Sequence, residues 1–303
     1  MAPSTVSLTN GRVLAYRFAA WLLARTPEAI GYPVFGLIGT LAYGLGRSAR
    51  RRVAAAMRNV LGSAASEREV ERATRESFRN LAWNYYELFH LPASAADAIR
   101  QRMDIQGLEH LFAALERGRG IVLTSLHFGN TEVLMQVPVL YPQLRFALLI
   151  EKLASRPIFE LMRQLRGRQG IELIPVDEPV KIMRCLKQNR TLGIAADRDV
   201  THSGIVIDFF GKPARLPDGP VRLALRTGAA LIPTYGWRES TGRFAIRVLP
   251  PLTLERSGDS QQDILTNMSR LVNVFEWIIR QHPGQWMAFH PIWVDAAPPS
   301  GSI

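Results

Sequence analysis

The stretch Ser125-Leu-His-Phe-Gly-Asn-Thr-Glu132 brings together residue types that can move a proton. The apolar run Ile121 to Leu123 reads as a buried strand, so His127 emerges at its carboxyl end, where open α/β sheets place ligands. Gly129 lets the backbone turn, and Asn130 suits the N-cap of a following helix. His127 and Glu132 are out of phase on one continuous helix. With His127 in the loop and Glu132 in the first helical turn, however, the carboxylate can fold back toward the ring. Such a pair is a general base whose second nitrogen is held and made more basic by a carboxylate. The helix start beside it offers backbone N–H groups to a developing oxyanion. Each residue also has a purely structural reading: Glu132 complements the positive end of its helix, and His127 is a hydrogen-bonded loop histidine.

Other chemistry is less well supported. Ser125 would share the histidine's face of an extended strand, without the sharp elbow that activates a serine nucleophile. Cys185 lies in a helical apolar pattern and reads as core. His202 follows Asp197-Arg-Asp199, yet no second histidine stands at ligand spacing for a metal. Neither common Gly-rich phosphate loop is present.

Short apolar runs alternating with helical patterns must position these residues. Strands are expected at Gly120–Ser125, Leu144–Ile150, Ile171–Pro175, Thr191–Ala196, Leu231–Trp237 and Arg243–Val248. Helices are expected at Asn130–Leu140, Arg156–Arg168, Pro179–Gln188 and Gln261–Gln281. This rhythm predicts an α/β fold, a central mixed β-sheet flanked by helices. Upstream, Ser66 and Glu69 form a capping box for a long helix running toward His90 and stopped by Pro92. Its aromatic far end, from Leu81 to Phe89, is expected to pack in the core.

The first sixty residues differ. Val13 to Ala24 is apolar except for Arg17, and Ala29 to Gly46 carries no charge before Arg47, Arg50, Arg51 and Arg52 follow. A spanning helix needs about 20 apolar residues, and Pro33 with several glycines cuts or weakens the second run. The pattern predicts an interfacial hairpin of helices rather than a span, with the arginines against anionic headgroups. The expected organisation is an N-terminal apolar and basic helical membrane-associating region over 1–62, an α/β domain over 63–295 and a flexible tail over 296–303.

Composition sets the frame. Hydrophobic residues make up 47% and charged residues 21% of 303, which excludes a disordered or low-complexity chain. A single cysteine excludes a disulfide scaffold. All but four of the 37 basic residues are arginines, and the net charge of +11 calls for an anionic partner without naming it.

Several blocks occur in order: His127 to Glu132, Arg166-Gly-Arg168-Gln-Gly170, Ala196-Asp197-Arg198-Asp199, Ile207-Asp-Phe-Phe-Gly211-Lys-Pro-Ala214, Leu223 to Gly228, and His282-Pro-Gly-Gln285-Trp286-Met-Ala-Phe-His290. Together they resemble the bacterial lipid A late acyltransferase and phosphatidylinositol mannoside acyltransferase family. The resemblance implies transfer of a fatty acyl chain from a thioester to a hydroxyl of a lipid or glycolipid. It makes His127 the base and Glu132 its partner, places Asp197 in the same pocket, and gives Arg166 and Arg198 to the anionic substrates; Gly129 and Asn130 join the substrate-binding loop. Thr131 stands where the family usually has an aromatic residue. No cofactor or metal is implied, only acyl-CoA or acyl carrier protein as co-substrate. The implied partners are an anionic membrane surface and the acceptor lipid, with no nucleic acid. The implied location is peripheral, on the cytoplasmic face of the bacterial inner membrane. An esterase or thioesterase using water as acceptor and a non-catalytic lipid-binding protein are the alternatives.

Overall fold

The computed structural model describes residues 18–151, 160, 163, 166, 167 and 169–294. Nine strands are described: β1 Met103–Gln106, β2 Ile121–Ser125, β3 Phe146–Ile150, β4 Glu172–Pro175, β5 Thr191–Ala195, β6 Ile205–Phe209, β7 Lys212–Leu216, β8 Ala230–Arg238 and β9 Phe244–Val248. The helices are α1 over residues 18–25, then α2 Glu28–Leu45, α3 Arg47–Leu61, α4 Glu67–His90, α5 Ala96–Gln101, α6 Leu108–Glu116, α7 Thr131–Leu134 and α8 Val137–Leu140. They continue with α9 Pro179–Lys187, α10 Gly219–Thr227 and α11 Ser260–Gln281.

Alternation along the strands builds a two-faced sheet. On β2 and β8, Val122 and Leu231 join the core formed with α3, α9, α10 and α11, while Ile121 and Ile232 face the core under α6 and α7. Both faces are apolar, as a sheet covered on both sides requires. The strand order is β1-β9-β8-β2-β5-β3-β4. Adjacent strands from β8 to β4 pair in parallel, β9 reverses against β8, and β1 runs parallel to β9. The sheet is therefore mixed and mostly parallel, as expected, and all six expected strands are present.

Four elements carry no clear periodic signal. β1 is a four-residue edge strand. The β6–β7 hairpin turns through Phe210 and Gly211, both at positive φ, as a two-residue turn requires. Helix α10 opens on Gly219-Pro220, which reads locally as a loop. The expected helix Asn130–Leu140 is split into α7 and α8, with Pro138 in the first turn of α8, where its missing N–H is tolerated. Of the expected helix Arg156–Arg168, the described residues 160, 163, 166 and 167 are helical, and the tail from Ala296 lies outside the described residues.

The N-terminal helices correct one expectation. Pro33 does not cut the second apolar run: α2 continues through it to Leu45. Tertiary packing overrides propensity, because a side chain at Gly31 would collide with the Tyr86 ring and one at Gly39 with the α4 backbone, so the two helices approach closely. The opposite face of α2 exposes Ile30, Val34, Leu37, Ile38, Leu41 and Leu45, a stripe at helical spacing. Helix α3 bends away by 95°, and among the described residues no single helix is long and apolar enough to cross a membrane. The residues before Phe18 lie outside the described region.

The capping box forms as expected, with the Ser66 hydroxyl accepting from Glu69 N and the Glu69 carboxylate accepting from Ser66 N. The aromatic end of α4 is only partly core: Tyr86 is fully buried and Tyr85 is exposed.

Candidate active site

Register places the central pair. Ser125 of β2 lies opposite Ala195 of β5, and Ala196 N donates to Ser125 O at 2.8 Å beyond the strand ends. Two residues further along each chain stand His127 and Asp197, with Nδ1 of the imidazole 2.7 Å from Asp197 Oδ1. The other carboxylate oxygen accepts from His127 N and from the Trp286 indole N–H, both at 3.0 Å. Met287 N in turn donates to His127 O at 2.8 Å. The carboxylate is almost completely buried, and all its partners are donors.

Facing a carboxylate, Nδ1 is the donor, and in the neutral ring the Nε2 lone pair is then free; 45% of the His127 side chain is accessible. The negative charge of Asp197 raises the His127 pKa above the ordinary imidazole value, against burial and the nearby Arg198 cation. Asp197 itself is penalised by burial, but the imidazolium and its hydrogen bonds hold it below the usual carboxylate range.

Glu132 does not fold back onto His127. Asn130 Oδ1 accepts from Glu132 N at 2.7 Å and from Val133 N at 3.4 Å, and the capped α7 sends the Glu132 carboxylate to Arg166. Arg166 Nη2 lies 2.5 Å from both Glu132 oxygens, and both side chains are about nine-tenths buried. Arg166 also donates to Gln169, so its charge is committed to the wall of the site. Gly129 and Asn130 are buried and shape the loop rather than face a ligand. At φ +57, Gly129 packs where a Cβ would collide with the Gly236 carbonyl, and its N–H donates to Gln285 O at 2.7 Å. The Gly129 N–H is therefore taken, and among the described residues Arg198 is the cation whose charge acts on the ring. It is partly exposed, 3.3 Å from Glu151.

Two cavities meet at His127. One of about 710 Å³ is walled mainly by apolar side chains, including Leu123, Leu134, Met135, Leu148, Leu173 and Ile246. The other, of about 400 Å³, opens between the end of α4 and the segment after Trp286, with Tyr85, Leu88, Phe289 and His290 on its walls. Thr131, Glu132 and Arg198 border both. A histidine at the meeting point of a large apolar cavity and a mixed one has the chemistry to deprotonate a hydroxyl held in the second against an electrophile whose tail fills the first.

The remaining candidates make other contacts. The Ser125 hydroxyl donates to Leu126 O. Cys185 is buried, and burial pushes its thiol pKa up. Asp199 accepts from Thr201 Oγ1 and Gly204 N in a turn, and among the described residues no three His, Cys, Asp or Glu side chains gather as a metal site.

Residues 3–294 match the family described as bacterial lipid A biosynthesis acyltransferase. The chain belongs to that family. A phosphatidylinositol mannoside acyltransferase of Mycolicibacterium smegmatis is 31% identical over 294 residues, covering 94% of this chain and 93% of that protein. Its namesake in Mycobacterium tuberculosis is 33% identical over 215 residues, covering 69% and 66%. A lipid A biosynthesis lauroyltransferase of Escherichia coli is 23% identical over 281 residues, covering 89% and 87%. Three of the ordered blocks that pointed to this acyltransferase family meet at His127, Asp197 and Trp286. Trp286, from the last of them, donates to the carboxylate that holds His127.

Sequence reasoning missed Glu87 and Arg238, a buried ion pair beneath the same loop. The only local signal was an acidic residue inside an aromatic, half-apolar helical stretch.

Proposed function

We propose that this acyltransferase-family protein moves a fatty acyl chain from an acyl thioester to a hydroxyl of a lipid or glycolipid, with His127 as general base. The observation that carries the reading is the imidazole held by buried Asp197 where the two cavities meet. Nε2 takes the proton of the acceptor hydroxyl as its oxygen attacks the thioester carbonyl carbon. The C–O bond forms, and the carbonyl π electrons move to an oxyanion beside Arg198. Collapse breaks the C–S bond, and the leaving thiolate takes the proton from the imidazolium, so no covalent enzyme intermediate is required. Asp197 stabilises the imidazolium throughout. Coenzyme A and acyl carrier protein both present such a thioester.

A radiolabelled acyl thioester offered with a total lipid extract tests the reading. Label is expected in an acylated lipid. Label in free fatty acid alone would make the protein a thioesterase, and no turnover would leave a lipid-binding role.

The exposed stripe of α2 and the arginines at the start of α3 support peripheral membrane association. Arg47, Arg51 and Arg52 are exposed, and Arg50 lies over the Tyr43 ring at 5.3 Å. Apolar insertion is insensitive to salt, whereas the arginines add a screened attraction of about 1 kcal/mol each. Reversing all four charges is expected to weaken flotation with anionic vesicles at low salt and to leave binding to neutral vesicles nearly unchanged. Equal flotation of parent and variant on anionic vesicles would reduce the cluster to a solvated helix face.

A further inference from the structure

Glu87 has no exposed surface, yet its carboxylate collects donors from three separate elements. Both terminal nitrogens of Arg238 at the end of β8 donate to it, Nη2 at 2.7 Å. The Asn130 side-chain amide donates to it, and so does Tyr32 Oη of α2, at 2.6 Å. Burial and the charge of Glu87 push the Tyr32 pKa far up, so the phenol stays a donor.

Two of these contacts lead on toward the His127 loop. Asn130 uses its other side-chain atom to cap α7. Arg238 exchanges two backbone hydrogen bonds with the Gln285 side chain, at 2.9 and 2.8 Å, and Gln285 O receives the Gly129 N–H. Asn84, one turn before Glu87 on α4, donates to Gly129 O at 2.8 Å. The residues just after His127 are thus held by Glu87 directly through Asn130, by Asn84 one turn earlier on the same helix, and by Gln285, which is fixed to the backbone of the residue whose guanidinium pairs with Glu87. Stability alone does not call for this arrangement, since a buried ion pair can often be replaced by apolar side chains at little cost. Fixed directions are what an apolar replacement would lose.

We propose that Glu87 is a positioning residue for acyl transfer, and that Tyr32 acts through it to make the seating of α2 part of the geometry of the His127 loop. The inference rests on the acyl-transfer reading. The groups facing Glu87 lie beneath the loop, away from both cavities, so their loss acts on orientation and not on substrate contact.

The test compares Glu87→Gln, Tyr32→Phe and the double variant in the full-length protein, with acyl thioester and acceptor lipid in mixed micelles. Folding is checked by circular dichroism and thermal unfolding. Glu87→Gln is expected to lower kcat by roughly 10–100-fold with KM for the thioester nearly unchanged, because small displacements of a base cost rate before they cost binding. Tyr32→Phe should lower kcat by a smaller factor, and the double variant should fall no further than Glu87→Gln alone. Unchanged kcat, a loss carried by KM, or losses that multiply would each overturn the inference. Should Glu87→Gln fail to fold with Arg238 left unpaired, Tyr32→Phe decides, since it leaves that ion pair intact: unchanged kcat overturns the inference and reduced kcat at constant KM supports it. Absence of transfer by the parent protein would instead strike the acyl-transfer reading itself.

Discussion

His127→Ala is expected to abolish measurable acyl transfer while leaving a folded protein. Removing a positioned acid–base group costs on the order of 10²–10⁴ in rate, and here the same ring is asked both to accept the alcohol's proton and to return it to the thiolate. The fold should survive because the loop keeps its other anchors. Asp197 still accepts from the backbone N–H of residue 127 and from Trp286, and Met287 N still meets the carbonyl of residue 127. Turnover of a labelled thioester, measured beside a thermal unfolding curve, checks both halves. Near-parental turnover in the folded variant would end the general-base mechanism.

Asp197→Asn is expected to lower kcat by about 10²–10⁴ and also to move the pH dependence. The base works as neutral imidazole, so activity rises with pH through the His127 pKa. The Asp197 carboxylate stabilises the imidazolium and raises that pKa, which puts the rising limb of the parent above the ordinary imidazole value. A neutral amide removes the attraction, so the residual activity of the variant should rise at lower pH than the parent's. An amide can also present its NH₂ to Nδ1 and turn the ring to the wrong tautomer, which is why the loss in kcat is large. A kcat/KM profile across neutral pH for both proteins measures the effect. Residual activity with an unmoved or upward-shifted limb would show that Asp197 does not set the basicity of His127.

Much of this protein is determined locally. Short continuous apolar runs specify the central strands, because a parallel strand buried on both faces carries apolar side chains at successive positions. The Ser66 capping box starts α4 by hydrogen bonds confined to four residues, and Asn130 caps α7 in the same way. The end of β2 also exposes the position of His127, since a loop residue following an apolar strand in a parallel sheet falls at the carboxyl edge.

The partner of that histidine was not local. Glu132 was the acid near it in sequence, yet the cap on Asn130 commits α7 to a direction that takes Glu132 to Arg166. Asp197 reaches the ring because β5 lies beside β2 in the sheet, in a register that brings residues 70 apart in the chain to 2.7 Å. Strand order is a property of crossovers, and no spacing along one strand encodes it. The same holds for Pro33, which reads as a helix stop but lies inside α2. There, close contact through Gly31 and Gly39 with α4 outweighs the one backbone hydrogen bond that proline forfeits. Glu87 likewise became legible only when three elements converged on it, for a buried charge draws its meaning from donors that the chain supplies from far away.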